Sequence, residues 1–219
     1  MDEQRLPLIG EKAPEFQAQT TKGSINFPDD FKGKWVVFFS HPADYTPVCT
    51  TEFIAFNKEY EEFKKRNCEI LGLSVDSIYS HISWIMNIEE KANEKIQFAV
   101  VGDPMGKVAS LYGMLHPKAS ASATVRAVFF IDPEGIIRAI LYYPLTNGRN
   151  IKEIIRLLEA LQKTDSDKVA TPANWVSSKQ TWEFSEEKVI VGAPLTVEGA
   201  KQRLNENYQC IDWYLCFKK

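Results

Sequence analysis

Residues 40–52, SHPADYTPVCTTE, constrain this chain more than any other stretch: an apolar run ends there, a polar loop follows, and a long amphipathic helix begins. Thr46 is a good N-cap, Pro47 takes the first helical position, where a missing N–H costs nothing, and Cys49 falls at the third. A helix N-terminus offers unpaired donors and roughly half a positive charge, and both favour a thiolate over a thiol. Threonine three residues earlier can put a hydroxyl beside the sulfur and on the Cys49 N–H. The competing reading is packing, since Cys49, Phe53, Phe56, Tyr60 and Phe63 share one helical face and free cysteine is usually buried. The cap reverses those odds and makes Cys49 a nucleophile.

The rest of the chain has to supply a scaffold for that turn. With 219 residues, 44% of them hydrophobic and 25% charged, it is long enough for one full domain and a small appendage. A net charge of −3 without a basic stripe argues against nucleic acid or an anionic membrane surface as partner. The N-terminal residues lack the apolar core of a signal peptide and no later stretch reaches spanning length, so the expected location is the cytoplasm. Four cysteines, at 49, 68, 210 and 216, match neither a secreted disulfide framework nor a zinc signature, and no metal or cofactor is expected.

Short strands are expected over 15–20 and 24–27, with buried ones at 35–39, 70–75 and 98–101. Helices are expected over 47–66, 78–93, 104–112 and 150–162, and Pro133-Glu134-Gly135 marks a hairpin between 126–132 and 136–143. This alternation predicts an α/β fold, a mixed sheet flanked by helices. Periodicity lapses at 164–167, which sets the expected boundary between residues 1–165 and an appendage of 166–219. That appendage is too small for a comfortable core of its own, yet it holds Trp175, Trp182, Tyr208, Trp213 and Tyr214, whose area needs cover.

Residues 42–49, PADYTPVC, resemble the peroxidatic motif of the peroxiredoxins: proline, three residues, threonine or serine, two residues, cysteine. The flanking SHPAD and CTTE, with ATPANW at 170–175, are similar to the one-cysteine subgroup, and the tail QCIDWYLCFKK resembles its long-tailed archaeal and bacterial members. The resemblance implies a thioredoxin-like fold with a small C-terminal α+β appendage. It also implies reduction of hydrogen peroxide and organic hydroperoxides through a sulfenic acid at Cys49, with thioredoxin-like donors as reductant. It carries Thr46 and Arg126 over as catalytic and substrate-binding, Pro42 as the pocket's shield, and Glu52 with Arg149 as a supporting ion pair. His41 is a pocket neighbour. The family further implies a homo-oligomer, a dimer assembling to a decamer ring.

Where two-cysteine relatives carry a resolving cysteine, this chain reads KVATPANW, so resolution falls to the tail: Cys216, with Cys210 as second choice. An extended tail would place both thiols on one face about 20 Å apart at ~3.3 Å per residue, so a bond between them would require refolding. Cys68, ahead of a buried strand, reads as packing. A thioredoxin-like disulfide oxidoreductase is disfavoured because Cys49-Thr50-Thr51-Glu52 lacks a second cysteine. A non-enzymatic chaperone on the same scaffold would not need Cys49 at all.

Overall fold

The computed structural model describes residues 6–177, 190–191, 194–212 and 215–218. The chain divides into two compact units, Met1–Ile151 and Lys152–Lys219.

In the first unit a seven-stranded sheet is built from β1 (Phe16–Thr20), β2 (Gly23–Phe27), β3 (Trp35–Ser40), β4 (Cys68–Ser74), β5 (Ala99–Gly102), β6 (Arg126–Ile131) and β7 (Ile137–Tyr143). Their spatial order is β2-β1-β5-β4-β3-β6-β7. β3, β4 and β5 pair in parallel, while β6, β7, β1 and β2 are antiparallel to their neighbours. β3 lies inside the sheet between β4 and β6, and every one of its residues is buried, as its uninterrupted apolar run predicts for a strand covered on both faces.

Alternation along β3 sends Val36 and Phe38 into one core with Phe129 and Tyr112, whose hydroxyl donates to Pro14 O at 2.7 Å. Phe39 points the other way and stacks on Phe56 of α1 (Pro47–Lys58) with ring centroids 4.4 Å apart. Behind it, Phe53 packs on Trp84 of α3 (Ile78–Ala92) at 4.4 Å. The single helix expected over 47–66 is two: α1 stops at Lys58, and α2 runs from Tyr60 to Lys65. Asn57 is buried just before the break, donating to Glu94 and accepting from the Gln97 N–H, and the reset lets Phe56 and Phe63 meet at 6.2 Å. α4 (Lys107–Leu111) follows β5, and Asp103 accepts from the Lys107 and Ala109 N–H groups at its start. In the β6–β7 hairpin, Asp132 Oδ1 accepts from the Glu134 and Ile136 N–H groups, and Gly135 supplies the φ of +80° the turn demands.

The second unit holds α5 (Ile151–Asp167), β8 (Ile190–Val191), α6 (Val197–Arg203), β9 (Tyr208–Asp212) and β10 (Leu215–Lys218). The polar stretch at 164–167 is still helical, with Thr164 Oγ1 bonded to Leu161 O and Lys163 paired with Asp167 at 2.8 Å, so the boundary expected at 165 falls inside α5. Arg156 holds Glu153 and donates to Trp175 O at 2.8 Å. Trp175 is buried and Tyr208 half-buried under the Arg203 guanidinium, whereas Trp182, Trp213 and Tyr214 lie outside the described residues.

β8, β10 and β9 form an antiparallel sheet in which Cys210 stands opposite Cys216, and the two are joined by a disulfide. The extended tail expected from sequence is therefore corrected. β9 and β10 are two antiparallel strands and not one, the two Cα atoms are 4.0 Å apart, and the bond requires no refolding.

Candidate active site

The end of β3, the start of α1 and the edge of β6 meet at Cys49. Thr46 occupies the N-cap position with extended dihedrals and Pro47 the first helical one, as the sequence predicts. The cap bond itself differs. Thr46 Oγ1 makes no side-chain cap and donates instead to Ala43 O at 2.8 Å, bracing the loop rather than holding the Cys49 N–H. The first-turn N–H groups, which have no partners within the helix, are thereby left for the pocket.

Cys49 is 0% exposed, and its Sγ lies 3.3 Å from Arg126 Nη1. Arg126, the first residue of β6, is itself buried, and its Nε and Nη2 are fixed on Leu145 O at 3.0 and 2.7 Å. Its Nη1 also donates to Glu52 Oε2 at 2.6 Å. Glu52, one turn beyond Cys49 on α1, is gripped by Arg149 through Nε to Oε1 at 2.8 Å and Nη2 to Oε2 at 2.7 Å, with the Arg149 N–H adding a third bond at 2.8 Å. Arg149 Nη1 reaches Ser40 O and Ala127 O, each at 2.9 Å, so one guanidinium ties α1 to the ends of β3 and β6. Burial pushes the Glu52 carboxyl up, but the Arg149 bonds and the charges of both arginines outweigh it and hold Glu52 below the usual carboxylate range.

Two guanidiniums face one carboxylate here, which leaves unmatched positive charge beside the Cys49 sulfur. Pro42 is buried in the loop above, and Thr46 is half-buried. The structure thus gathers Pro42, Thr46, Cys49, Glu52, Arg126 and Arg149 in one unit. Cys210 and Cys216 belong to the other unit, bonded to each other.

His41 takes part in a network the sequence did not reveal. Its Nε2 meets Asp44 Oδ1 at 2.9 Å, while His81 Nδ1 meets the same carboxylate at 2.8 and 3.0 Å. Burial pushes the His41 imidazole down despite Asp44, and Nδ1 has no hydrogen-bond partner. Asp44 is likewise pushed up by burial, yet the two histidines hold it below the usual carboxylate range. These three residues offer ligand atoms within 4.8 Å of one another, but the atoms are already engaged in hydrogen bonds among themselves. The sequence signal was faint: a histidine on the inner face of a helix resembles core, and Asp44 resembles any loop acid.

The sequence model of the AhpC/TSA family matches residues 9–140, and that of the C-terminal domain of 1-Cys peroxiredoxin matches 160–207. A peroxiredoxin of Aquifex aeolicus is 62% identical over 216 residues, covering 98% of this chain and 97% of its own. Peroxiredoxin 2 of Sulfurisphaera tokodaii is 52% identical across the full length of both chains. Among solved structures, the yeast mitochondrial 1-Cys peroxiredoxin is similar with a TM-score of 0.82 at 40% identity, covering 98% of this chain and 100% of that one. Peroxiredoxin 6 of Arenicola marina gives 0.81 at 31% identity, covering 96% and 97%. With a thioredoxin-like sheet, a cysteine at a helix start and these relatives along its whole length, the chain belongs to the AhpC/TSA family and is a peroxiredoxin, a thiol peroxidase.

Proposed function

We propose that Cys49 is the peroxidatic residue and that the tail pair resolves it. The observation that carries the first part is Arg126 Nη1 at 3.3 Å from a buried Cys49 sulfur at a helix N-terminus. The Cys49 thiolate attacks the terminal oxygen of a hydroperoxide, the O–O bond breaks, and alkoxide or hydroxide departs to take up a proton as alcohol or water, leaving Cys49 sulfenic acid. Arg126 and the first-turn N–H groups stabilise the charge developing on the departing oxygen, Thr46 and Pro42 shape the pocket, and Glu52 with Arg149 fixes Arg126.

Cys216 then attacks the sulfenic sulfur, water leaves, and a mixed disulfide forms. Cys210 displaces Cys49 from it, producing the Cys210–Cys216 bond, and a thioredoxin-like dithiol reduces that bond. The cross-strand pairing of these two cysteines supports the exchange, because it keeps them within bonding distance. The yeast relative, studied for thiol resolution through glutathione and thioredoxin systems, is consistent with such a donor.

Among the described residues no helix is long and apolar enough to cross a membrane. Activity in the cytoplasm as a homo-oligomer, with dimers assembling to a decamer ring, belongs to the same reading. Exposed Tyr79, Ile82 and Met86 on α3 support an interface between copies. The deciding experiment is a non-reducing gel after one equivalent of peroxide. Cys210→Ser should trap a Cys49–Cys216 disulfide, as a dimer if the tail acts on a second copy, and Cys49→Ser and Cys216→Ser should form none. Trapping in Cys216→Ser instead would exchange the two tail roles, and normal turnover of the double tail variant with thioredoxin would remove the tail from the cycle.

A further inference from the structure

Cys49 is fully buried, so no thiol reaches its sulfur until the first turn of α1 and the 41–46 loop move aside. Whatever holds that loop in place therefore times the second half of the cycle. Inside the loop the ties are few, and Tyr45 is held at a φ of +56°, a conformation that a non-glycine residue adopts only when its surroundings enforce it. The enforcing bonds run outward. Asp44 binds His81 of α3 at 2.8 Å, its N–H donates to Asp76 Oδ2 at 3.0 Å, and Tyr45 OH meets Ser83 Oγ of α3 at 2.6 Å.

Burial and charge show which of these is strongest. His81 Nε2 lies 3.1 Å from Val101 O, so the ring is held at both nitrogens. Nδ1 lies 2.8 and 3.0 Å from the Asp44 carboxylate, which also meets His41 Nε2. His81 thus forms with the Asp44 carboxylate a fully buried, charge-assisted hydrogen bond. The charged and titratable groups around it are His41 on the loop and Asp76 ahead of α3, the latter occupied by Ser74 Oγ and the Asp44 N–H.

We propose that Asp44 and His81 are positioning residues that latch the peroxidatic loop onto α3, and that the strength of this latch sets how Cys49 sulfenic acid divides between resolution and overoxidation. This rests on the reading of Cys49 as peroxidatic. In the closed loop the sulfenate attacks a second hydroperoxide, the O–O bond breaks, one oxygen joins sulfur, and alcohol or water leaves, giving sulfinate. In the open loop a thiol attacks the same sulfur, the S–O bond breaks, water leaves, and a disulfide forms. Only the second step needs opening. Weakening the latch raises the open population in proportion while the closed form stays dominant, so resolution gains and the first oxidation is spared.

The test compares wild type with Asp44→Asn, His81→Gln and Ser83→Ala during turnover with hydrogen peroxide and a dithiol reductant. Mass spectrometry reads Cys49 sulfinate per peroxide consumed, and stopped flow reads the first oxidation. The buried variants should form about tenfold less sulfinate per turnover, the worth of one charge-assisted hydrogen bond, with first oxidation within about twofold. Ser83→Ala, on the exposed side and harmless to folding, should show a fall of about two- to fivefold. Unchanged sulfinate per turnover in Asp44→Asn and Ser83→Ala overturns the latch. A wild type that never gains oxygen on Cys49 would instead overturn the peroxidatic reading beneath it.

Discussion

Cys49 and Cys68 are equally hidden, at 0% and 1% exposure, and the protein treats them in opposite ways. Cys68 opens β4, and its sulfur lies 3.5 Å from the Glu69 carbonyl with the Val37 backbone as a further hydrogen-bond partner. Burial pushes its thiol far up, with nothing nearby strong enough to oppose it. Cys49 opens a helix and faces a guanidinium that is itself pinned on Leu145 O and on Glu52. Burial alone makes a cysteine inert, and it makes one reactive only where fixed positive charge is buried with it. Strand β4 offers its backbone to neighbouring strands, whereas a helix start keeps donors free for a ligand.

The largest expected effect breaks the comparison outright. Cys49→Ser should reduce peroxide consumption to the uncatalysed background, while Cys68→Ser keeps it within a few-fold of wild type. Equal losses in both variants would mean that the two sites are not opposed. Next, Arg149→Ala should destabilise the fold by about 3–5 kcal/mol, because it leaves the buried Glu52 short of its main partner and frees two carbonyls of β3 and β6. Urea unfolding is the check, and a loss below about 1 kcal/mol would show that Arg126 suffices for Glu52. Arg126→Ala should slow sulfenic acid formation by about a hundredfold, equivalent to ~3 kcal/mol, with less effect on reduction of the oxidised enzyme. An unaltered stopped-flow rate would remove Arg126 from the chemistry.

The contrast between the two cysteines was partly legible from sequence. Thr46 and Pro47 before Cys49 marked a helix start, and the apolar run after Cys68 marked a buried strand, because both signals are local. Glu52, Arg126 and Arg149 are far apart in sequence, and only resemblance linked them; periodicity has no access to a triangle closed by three elements. The pairing of β9 with β10 that joins Cys210 to Cys216 was missed since the sequence from Cys210 to Cys216 holds no glycine, proline or asparagine of the kind that ordinarily announces a reversal. Thr46 sat where expected, but its hydroxyl chose the Ala43 carbonyl over the helix N–H, a local competition that residue type alone does not decide.

The smallest effect sharpens the comparison through pH. Glu52 titrates below its ordinary 4.5 in the folded state, so its contribution to stability is complete above that value and is lost as pH falls through the folded one. Cys68 has the opposite sign. Its folded thiol titrates far above the ordinary 9.0, so above that pH the unfolded chain sheds a proton that the native state retains, and stability declines by about 1.4 kcal/mol per pH unit for this one group. Denaturant unfolding under reducing conditions should therefore show Glu52→Gln flattening the acid limb only and Cys68→Ala flattening the alkaline limb only. Other groups that ionise in the same ranges cancel in the difference between each variant and wild type. If Cys68→Ala leaves the alkaline slope untouched, its thiol has found a stabilising partner in the folded state, and the line between an inert and a reactive buried cysteine would have to be drawn by something other than neighbouring charge.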